Sequence, residues 1–273
     1  MKVSIIISTR NRPELLIRRS LLSACIQDIQ HPYQVIIIDD ASEDNIEKIV
    51  SDFYKLRIKD YTNIPRTRYY RNTKRMGLAY NKNLGIQMAK GEYIVFLDDD
   101  NDIHMDFLRK TTEYLDIHPE VSSVGVCKNI IYPEEKVCEI PKLPCSINDG
   151  FLIRKEVFEK IKFDEELHAN EDADFGIRFF KEGFEMAIIH EPLMTVYGSP
   201  IINTTSYSDY SDYHLDGLAK FWLKHHEYKQ YIGRIFLLSA GKPQWFKFLY
   251  WLEEKIKRYY RIWTTRIKNY SKS

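Results

Sequence analysis

Three apolar runs, Val3–Ile7, Val35–Ile38 and Tyr93–Leu97, restrict what this chain can become. Their β-branched and aromatic residues favour strands, and the near absence of polar alternation requires burial on both faces. The intervals carry the other period. Pro13 suits the first turn of a helix reaching about Ile29, with Leu15, Leu16, Leu22, Cys25, Ile26 and Ile29 at helical spacing. Ser42 is placed to cap a second helix whose Ile46, Ile49, Val50 and Phe53 form one stripe. TRYYRN reads as another strand, and a helix from about Gly77 to Ala89 stops at Gly91. Strand alternating with helix at this spacing predicts an α/β fold, a mostly parallel sheet flanked by helices.

Downstream, a helix from about Ile103 to Ile117 precedes VSSVGVCKNIIY, a strand with which KVCEI can pair. DGFLIRKEVFEKI gives a short strand and helix. Asn170 can cap a helix that Gly183 ends, and EMAIIH is a last strand finishing at His190. One α/β domain is therefore expected over residues 1–198, in two halves of about 1–102 and 103–198. A loop and helical region follows over 199–241, then a basic helical extension over 242–273.

The composition supplies a core, with 44% apolar residues in 273. Forty basic residues against 39 acidic leave a formal charge of +1, which gives no general field for nucleic acid. Cys25, Cys127, Cys138 and Cys145 form no CxxC pair and read as reduced, structural thiols of a cytoplasmic protein. KVSIIIS is too short for a leader, and no run approaches the roughly 18 apolar residues of a membrane span.

Ligands of parallel α/β sheets bind beyond the carboxyl ends of the strands. Here those ends carry Ser8 and Thr9, Asp39 and Asp40, and Asp98, Asp99 and Asp100 within GEYIVFLDDDND. Unit charges about 4 Å apart repel by roughly 4 kcal/mol at an effective dielectric near 20, so such a rim needs water or a cation. The bland alternative is a solvated acidic turn. The other is Mg²⁺ or Mn²⁺, hard ions that take one or two carboxylates and complete their shell with water and substrate phosphate, which implies a nucleotide. A second acidic group, Glu171, Asp172 and Asp174, falls in the first turn of a predicted helix. There it either complements the macrodipole or supplies a base to take a proton from an attacking hydroxyl.

The ordered set VSIIISTRNR, VIIIDDAS, NKNLGIQMAKGEYIVFLDDDND, DGFLIRKEVF and NEDADFGIRF resembles the family-2 glycosyltransferases with the GT-A fold over about residues 1–195. The resemblance implies an inverting transferase using a nucleoside diphosphate sugar, usually a UDP-sugar, with Mn²⁺ or Mg²⁺. It sets Ser8, Thr9 and Arg10 near the uridine, Asp39 against uracil or ribose, and Asp98 against the ribose. Asp100 matches the metal ligand of the DXD motif, with Asp98 beside it and Asp99 at the variable position. Asp172 matches the general base, with Glu171 holding acceptor hydroxyls. Lys82 stands where many relatives carry arginine, offering the nucleotide charge without a fork of donors. The expected acceptor is a saccharide or lipid-linked saccharide in surface polysaccharide assembly.

Gly150 allows a tight turn or a close backbone approach to the donor. His190 is a candidate metal ligand, with His214 its rival, and for both the ordinary surface or packed histidine is the favoured alternative. SPIINTTSYSDYSDYH suits a loop over the site or a passive connection. Residues 241–273 hold nine Lys or Arg against two Glu, with Trp245, Leu252, Ile256, Tyr259, Trp263 and Ile267 on one helical face. That stripe can lie on an anionic membrane surface or pack on protein. Two rival functions are a nucleotidyltransferase, for which STRNRPE lacks the glycine-rich loop, and a non-catalytic donor-binding scaffold.

Overall fold

The structure, a computed structural model, describes residues 1–58, 64–131, 136–139, 141, 147, 149–167, 170–197 and 224–225. The expected loop region and basic extension lie outside these, apart from Lys224 and His225; so do His214 and Cys145.

Among the described residues nine strands form one sheet: β1 (Val3–Thr9), β2 (Tyr33–Asp39), β3 (Arg66–Arg71), β4 (Tyr93–Asp98), β5 (Asp102–Ile103), β6 (Val121–Ile131), β7 (Lys136–Glu139), β8 (Phe151–Arg154) and β9 (Glu185–Tyr197). The order is β3-β2-β1-β4-β8-β6-β9-β5, with β7 paired to β6. The first four strands of this order are parallel, β8 is antiparallel to both β4 and β6, and β6 is parallel to β9. Strand β6 thus points the same way as β4, so the tips of both halves share one rim.

The apolar runs divide their side chains between two cores. Ile5, Ile7, Val35, Ile37, Val95 and Leu97 face α1 (Pro13–Arg18), α2 (Ser20–Cys25), α3 (Ile46–Phe53) and α5 (Phe107–Ile117). Ile6, Ile36, Ile38, Ile94 and Phe96 face α4 (Leu78–Met88), α6 (Val157–Lys160) and α7 (Glu171–Lys181). Each such side chain contributes about 1.5–3 kcal/mol on burial, which is why the central strands tolerate no polar alternation. Cys25, Cys127 and Cys138 are thiols, and burial pushes Cys25 up to about 12, an inert packing group. Among the described residues no helix is long and apolar enough to cross a membrane.

Several local expectations change. The helix from Pro13 breaks at Arg19, whose backbone (φ −115°, ψ −85°) leaves the helical region while its guanidinium reaches the Asp100 carbonyl at 2.8 Å. Asn45, not Ser42, caps α3 by accepting the Lys48 N–H at 3.0 Å; Ser42 instead accepts from the Asn11 N–H. Helix α5 starts at Phe107 because Asp102 and Ile103 pair with Thr195 and Met194 of β9. Gly91 is required by close approach rather than by a left-handed cap, since a Cβ there would lie 2.6 Å from the Ser4 nitrogen and the Val3 carbonyl carbon. Strand β9 runs on past His190, which sits where the β6 pairing jumps from Ile189 to Pro192.

Candidate active site

Beyond the tips of β1, β2 and β4 lies a pocket of about 450 Å³, lined by Ser8, Thr9, Arg10, Arg12, Asp40, Arg75, Asn81 and Asp98–Asp100. That volume is in the range of small-molecule sites. The chain builds it from backbone that strands cannot continue: polar residues at each strand tip trade sheet pairing for side-chain bonds.

Asp39, expected against the nucleoside, does not line this pocket. It is fully buried, accepting the Ser42 N–H at 2.9 Å and the Tyr69 hydroxyl at 2.6 Å. Asp40 takes the lining position. Its carboxylate accepts the Met76 and Gly77 N–H groups at 2.7 and 3.0 Å and the Asn72 amide at 2.9 Å. Asn72 also donates to Asn81, and Asn81 to Ser8 at 3.0 Å. One polar chain therefore ties the ends of β2, β3 and β1 to α4 and fixes the loop that carries Arg75.

The aspartate triplet is not uniform. Asp99 accepts from Thr9 at 2.7 Å and Arg12 at 3.2 Å, and its side chain is 7% exposed; Asp100 meets Arg12 at 3.1 Å and is 33% exposed. Burial pushes Asp99 above the usual carboxylate range despite both partners. Burial opposes the charge on Arg12 too, but Asp99 and Asp100 outweigh it and raise its pKa. Asp98 is held well above its ordinary value by burial and by the buried Asp149 carboxylate, against the pull of Lys82. Asp149 also accepts the Asp98 N–H at 3.1 Å and the Asn101 amide at 2.7 Å. Gly150 beside it has φ +80° in a turn, and a Cβ would approach the Met194 sulfur to 2.8 Å. The β9 end arrives here as well: Tyr197 donates to Asp102 at 2.7 Å, and Arg19 stacks 3.7 Å over its ring.

The second acidic group divides in three. Glu171 accepts from the Lys82 ammonium at 2.9 Å, and both side chains are nearly buried. That ammonium lies 5.0 and 5.7 Å from the Phe163 and Phe96 ring centroids. Burial would lower its pKa, but Glu171, Asp98 and Asp172 together raise it. Burial likewise would raise Glu171, yet Lys82 brings it below its usual value. Asp172 moves up, through burial and the neighbouring Glu171; its Oδ1 accepts the Ala173 N–H at 2.8 Å. Asp174 is fully buried and bound by Arg178, by Lys224 at 2.9 Å and by His225 at 2.7 Å, which hold it below the usual range against burial.

The structure brings Ser8, Thr9, Arg10 and Asp98–Asp100 to one pocket; Lys82 bonds Glu171, and Asp172 is not among the pocket's lining residues. Lys82 and Glu171, expected to meet the nucleotide and the acceptor, satisfy each other and do not line the pocket. His190 is exposed on β9, separated from β4 by β8 and β6, and does not line the pocket either. Sequence reasoning missed Arg12, Asp40 as the lining residue, Asn81, Asp149 and Tyr197. Asp149 had a signal, the NDG turn, which drew attention only to its glycine.

Among the described residues no three His, Cys, Asp or Glu side chains form a ready ligand cage. Asp98 and Asp100 present the sparse oxygen set that suits an ion sharing its shell with phosphate and water.

Residues 4–137 match the family model described as glycosyl transferase family 2. An uncharacterized glycosyltransferase of Methanocaldococcus jannaschii is 23% identical over 207 residues, 70% of this chain and 69% of the relative. A GalNAc(5)-diNAcBac-PP-undecaprenol beta-1,3-glucosyltransferase of Campylobacter jejuni is 28% identical over 66% of this chain and 60% of its own. In structure, S. aureus TarS 1-349 in complex with UDP aligns with a TM-score of 0.62 at 20% identity, over 86% of this chain and 74% of that one. The mannosyltransferase PcManGT from Pyrobaculum calidifontis, in complex with GDP-Man and Mn²⁺, aligns at 0.60 and 17% over 83% and 64%. Sequence motifs, sheet order and these likenesses agree on the GT-A α/β fold, with residues 4–137 matching the glycosyltransferases of family 2.

Proposed function

We propose that this enzyme moves a sugar from a UDP-sugar to a hydroxyl of a saccharide or lipid-linked saccharide, with inversion at the anomeric carbon. The observation that carries the reading is electrostatic: Asp98 at the tip of β4 and Asp172 at the start of α7 act on the same buried ammonium, Lys82. The geometry beside it is the Lys82–Glu171 bond at 2.9 Å, which sets the first turn of α7 against α4, the helix whose Asn81 lines the donor pocket.

In this reading Ser8, Thr9 and Arg10 receive the nucleoside, with Asp40 and Asn81 completing the wall that Asp39 was expected to form. Asp98 and Asp100 would hold Mn²⁺ or Mg²⁺, which neutralises the leaving diphosphate. Arg12, paired to Asp99 and Asp100, adds a second cation on that side. Asp172 takes the proton from the acceptor hydroxyl. The acceptor oxygen then bonds to the anomeric carbon from the face opposite the diphosphate, whose bond to that carbon breaks, so configuration inverts. Burial and Glu171 raise Asp172 toward the strength a base needs, and the Ala173 N–H orients it.

Support for the donor comes from the solved neighbours, in complex with UDP and GDP-Man; the Campylobacter relative supports an undecaprenol-linked acceptor. Surface polysaccharide assembly at the cytoplasmic face of a membrane fits such an acceptor. The catalytic domain is read over residues 1–198, with Lys224 and His225 of the following region closing on Asp174, and the basic 242–273 stretch is proposed as the membrane contact. The test is UDP release from a panel of UDP-sugars, with and without Mn²⁺. The wild type is expected to release UDP, Asp172→Asn to bind donor without turnover, and Asp100→Ala to lose metal-dependent UDP binding by calorimetry. Equal UDP affinity in the Asp100 variant, or full turnover by Asp172→Asn, refutes the assignment.

A further inference from the structure

Helix α4 turns three consecutive polar residues inward. Its Asn81, Lys82 and Asn83 are all at least 95% buried, although each costs burial of a polar or charged group. Consecutive helical residues point about 100° apart, so three in a row reach three different neighbours. Asn81 bonds Ser8 and Asn72 on the nucleotide side. Asn83 donates to the Phe163 carbonyl at 2.9 Å and to Glu165 at 2.8 Å, and accepts the Phe163 N–H at 3.0 Å, in the segment leading to α7. Lys82 reaches the first residue of α7 itself, Glu171.

Side chains adjoining the two halves would ordinarily be apolar. A lysine sealed between Phe96 and Phe163 and bonded to one carboxylate is a poor donor ligand: its ammonium is spoken for, and its side chain is 5% exposed. What it does touch is the turn that aims Asp172. Helix α7 starts abruptly, since Asn170 enters it at φ +59° and makes no side-chain cap. The Lys82–Glu171 bridge is therefore what pins this end of α7 to α4, and α4 in turn is fastened to the nucleotide pocket through Asn81.

We infer that Lys82 is a positioning residue for sugar transfer, which fixes the base-bearing turn of α7 relative to the donor pocket and does not bind the donor. The inference rests on the glycosyl-transfer reading above. It assigns to Lys82 a consequence in kcat and none in donor affinity, whereas a nucleotide-contacting lysine would act chiefly on donor KM and Kd.

The experiment measures UDP affinity by calorimetry with Mn²⁺, and kcat and KM for UDP-sugar turnover, in wild type, Lys82→Met, Lys82→Arg and the double variant Lys82→Met/Glu171→Met. Lys82→Met is expected to leave UDP Kd within about threefold of wild type and to lower kcat at least 100-fold. Lys82→Arg, which keeps the charge, recovers at least tenfold of that loss. The double variant removes both charges, so it stays folded even where the single one does not. It is expected to bind UDP yet remain slow. A tenfold or larger loss of UDP affinity with kcat retained in Lys82→Met overturns the inference, as does near-wild-type kcat in the folded double variant. A wild type that neither binds UDP nor turns over any UDP-sugar defeats the parent reading and this one with it. Normal wild-type turnover with an unaffected Lys82→Met defeats this one alone.

Discussion

Asn83→Ala tests whether α4 holds the two halves together as its bonds imply. The amide serves both backbone groups of Phe163, donating to the carbonyl at 2.9 Å and accepting the N–H at 3.0 Å, and it also reaches Glu165. Alanine leaves a buried donor and a buried acceptor without a partner. At about 1–3 kcal/mol for each orphaned group, the loss is about 2–6 kcal/mol, with the Glu165 bond adding little because it is only part-buried. Native stability is typically about 5–15 kcal/mol, so this is a large fraction of the whole. Urea unfolding followed by circular dichroism measures it: with an m-value near about 2 kcal/mol/M, the midpoint should fall by about 1–3 M at constant m. Asn83→Asp keeps the acceptor but sets a carboxylate beside Glu165 and the Phe163 carbonyl, and should be at least as damaging. A loss below about 1 kcal/mol for the alanine variant would refute the reasoning, since the Phe163 groups would then have found other partners.

Gly91→Ala drives a methyl into the backbone of Val3 and Ser4, which cannot rotate aside, and should cost about 3 kcal/mol in the same unfolding assay, the upper end of overpacking. Asp40→Ala releases Met76 N–H, Gly77 N–H and Asn72 together, so the Arg75 loop loosens and UDP affinity by calorimetry should fall by ~10-fold. Asp174 has a folded-state pKa depressed by His225, Arg178 and Lys224, so its stabilisation is complete above the ordinary value of about 3.9 and is lost as pH falls through the lower folded value. Asp174→Asn should therefore be less stable than wild type at pH 7, with the gap narrowing below about pH 4; a gap independent of pH would contradict that origin.

Much of this protein was legible in its residues because the governing forces are local or periodic. Ile5, Ile6 and Ile7 must each be buried, and only a strand covered on both faces achieves that; the helices follow from the same arithmetic. The acidic triplet after β4 and the acidic first turn of α7 were visible as anomalies, places where charge sits at the edge of apolar sequence. Partnership was not legible. Asp39 and Asp40 are adjacent and chemically identical, yet alternation along β2 turns one inward to Tyr69 and leaves the other at the pocket. Lys82 was assigned to the nucleotide by resemblance alone, as the residue standing where many relatives carry arginine, because its partner Glu171 is distant along the chain.

Sequence by itself determined the α/β layering, the common rim of strand tips and the residue types available there, since burial and period act over a few neighbouring positions. Tertiary structure alone decided which carboxylates are spent on buried internal bonds, as Asp39, Asp99, Glu171 and Asp174 are, and which stays partly exposed at the pocket, as Asp100 does. Charge pairing and desolvation depend on distance in space, and only the folded chain sets that distance.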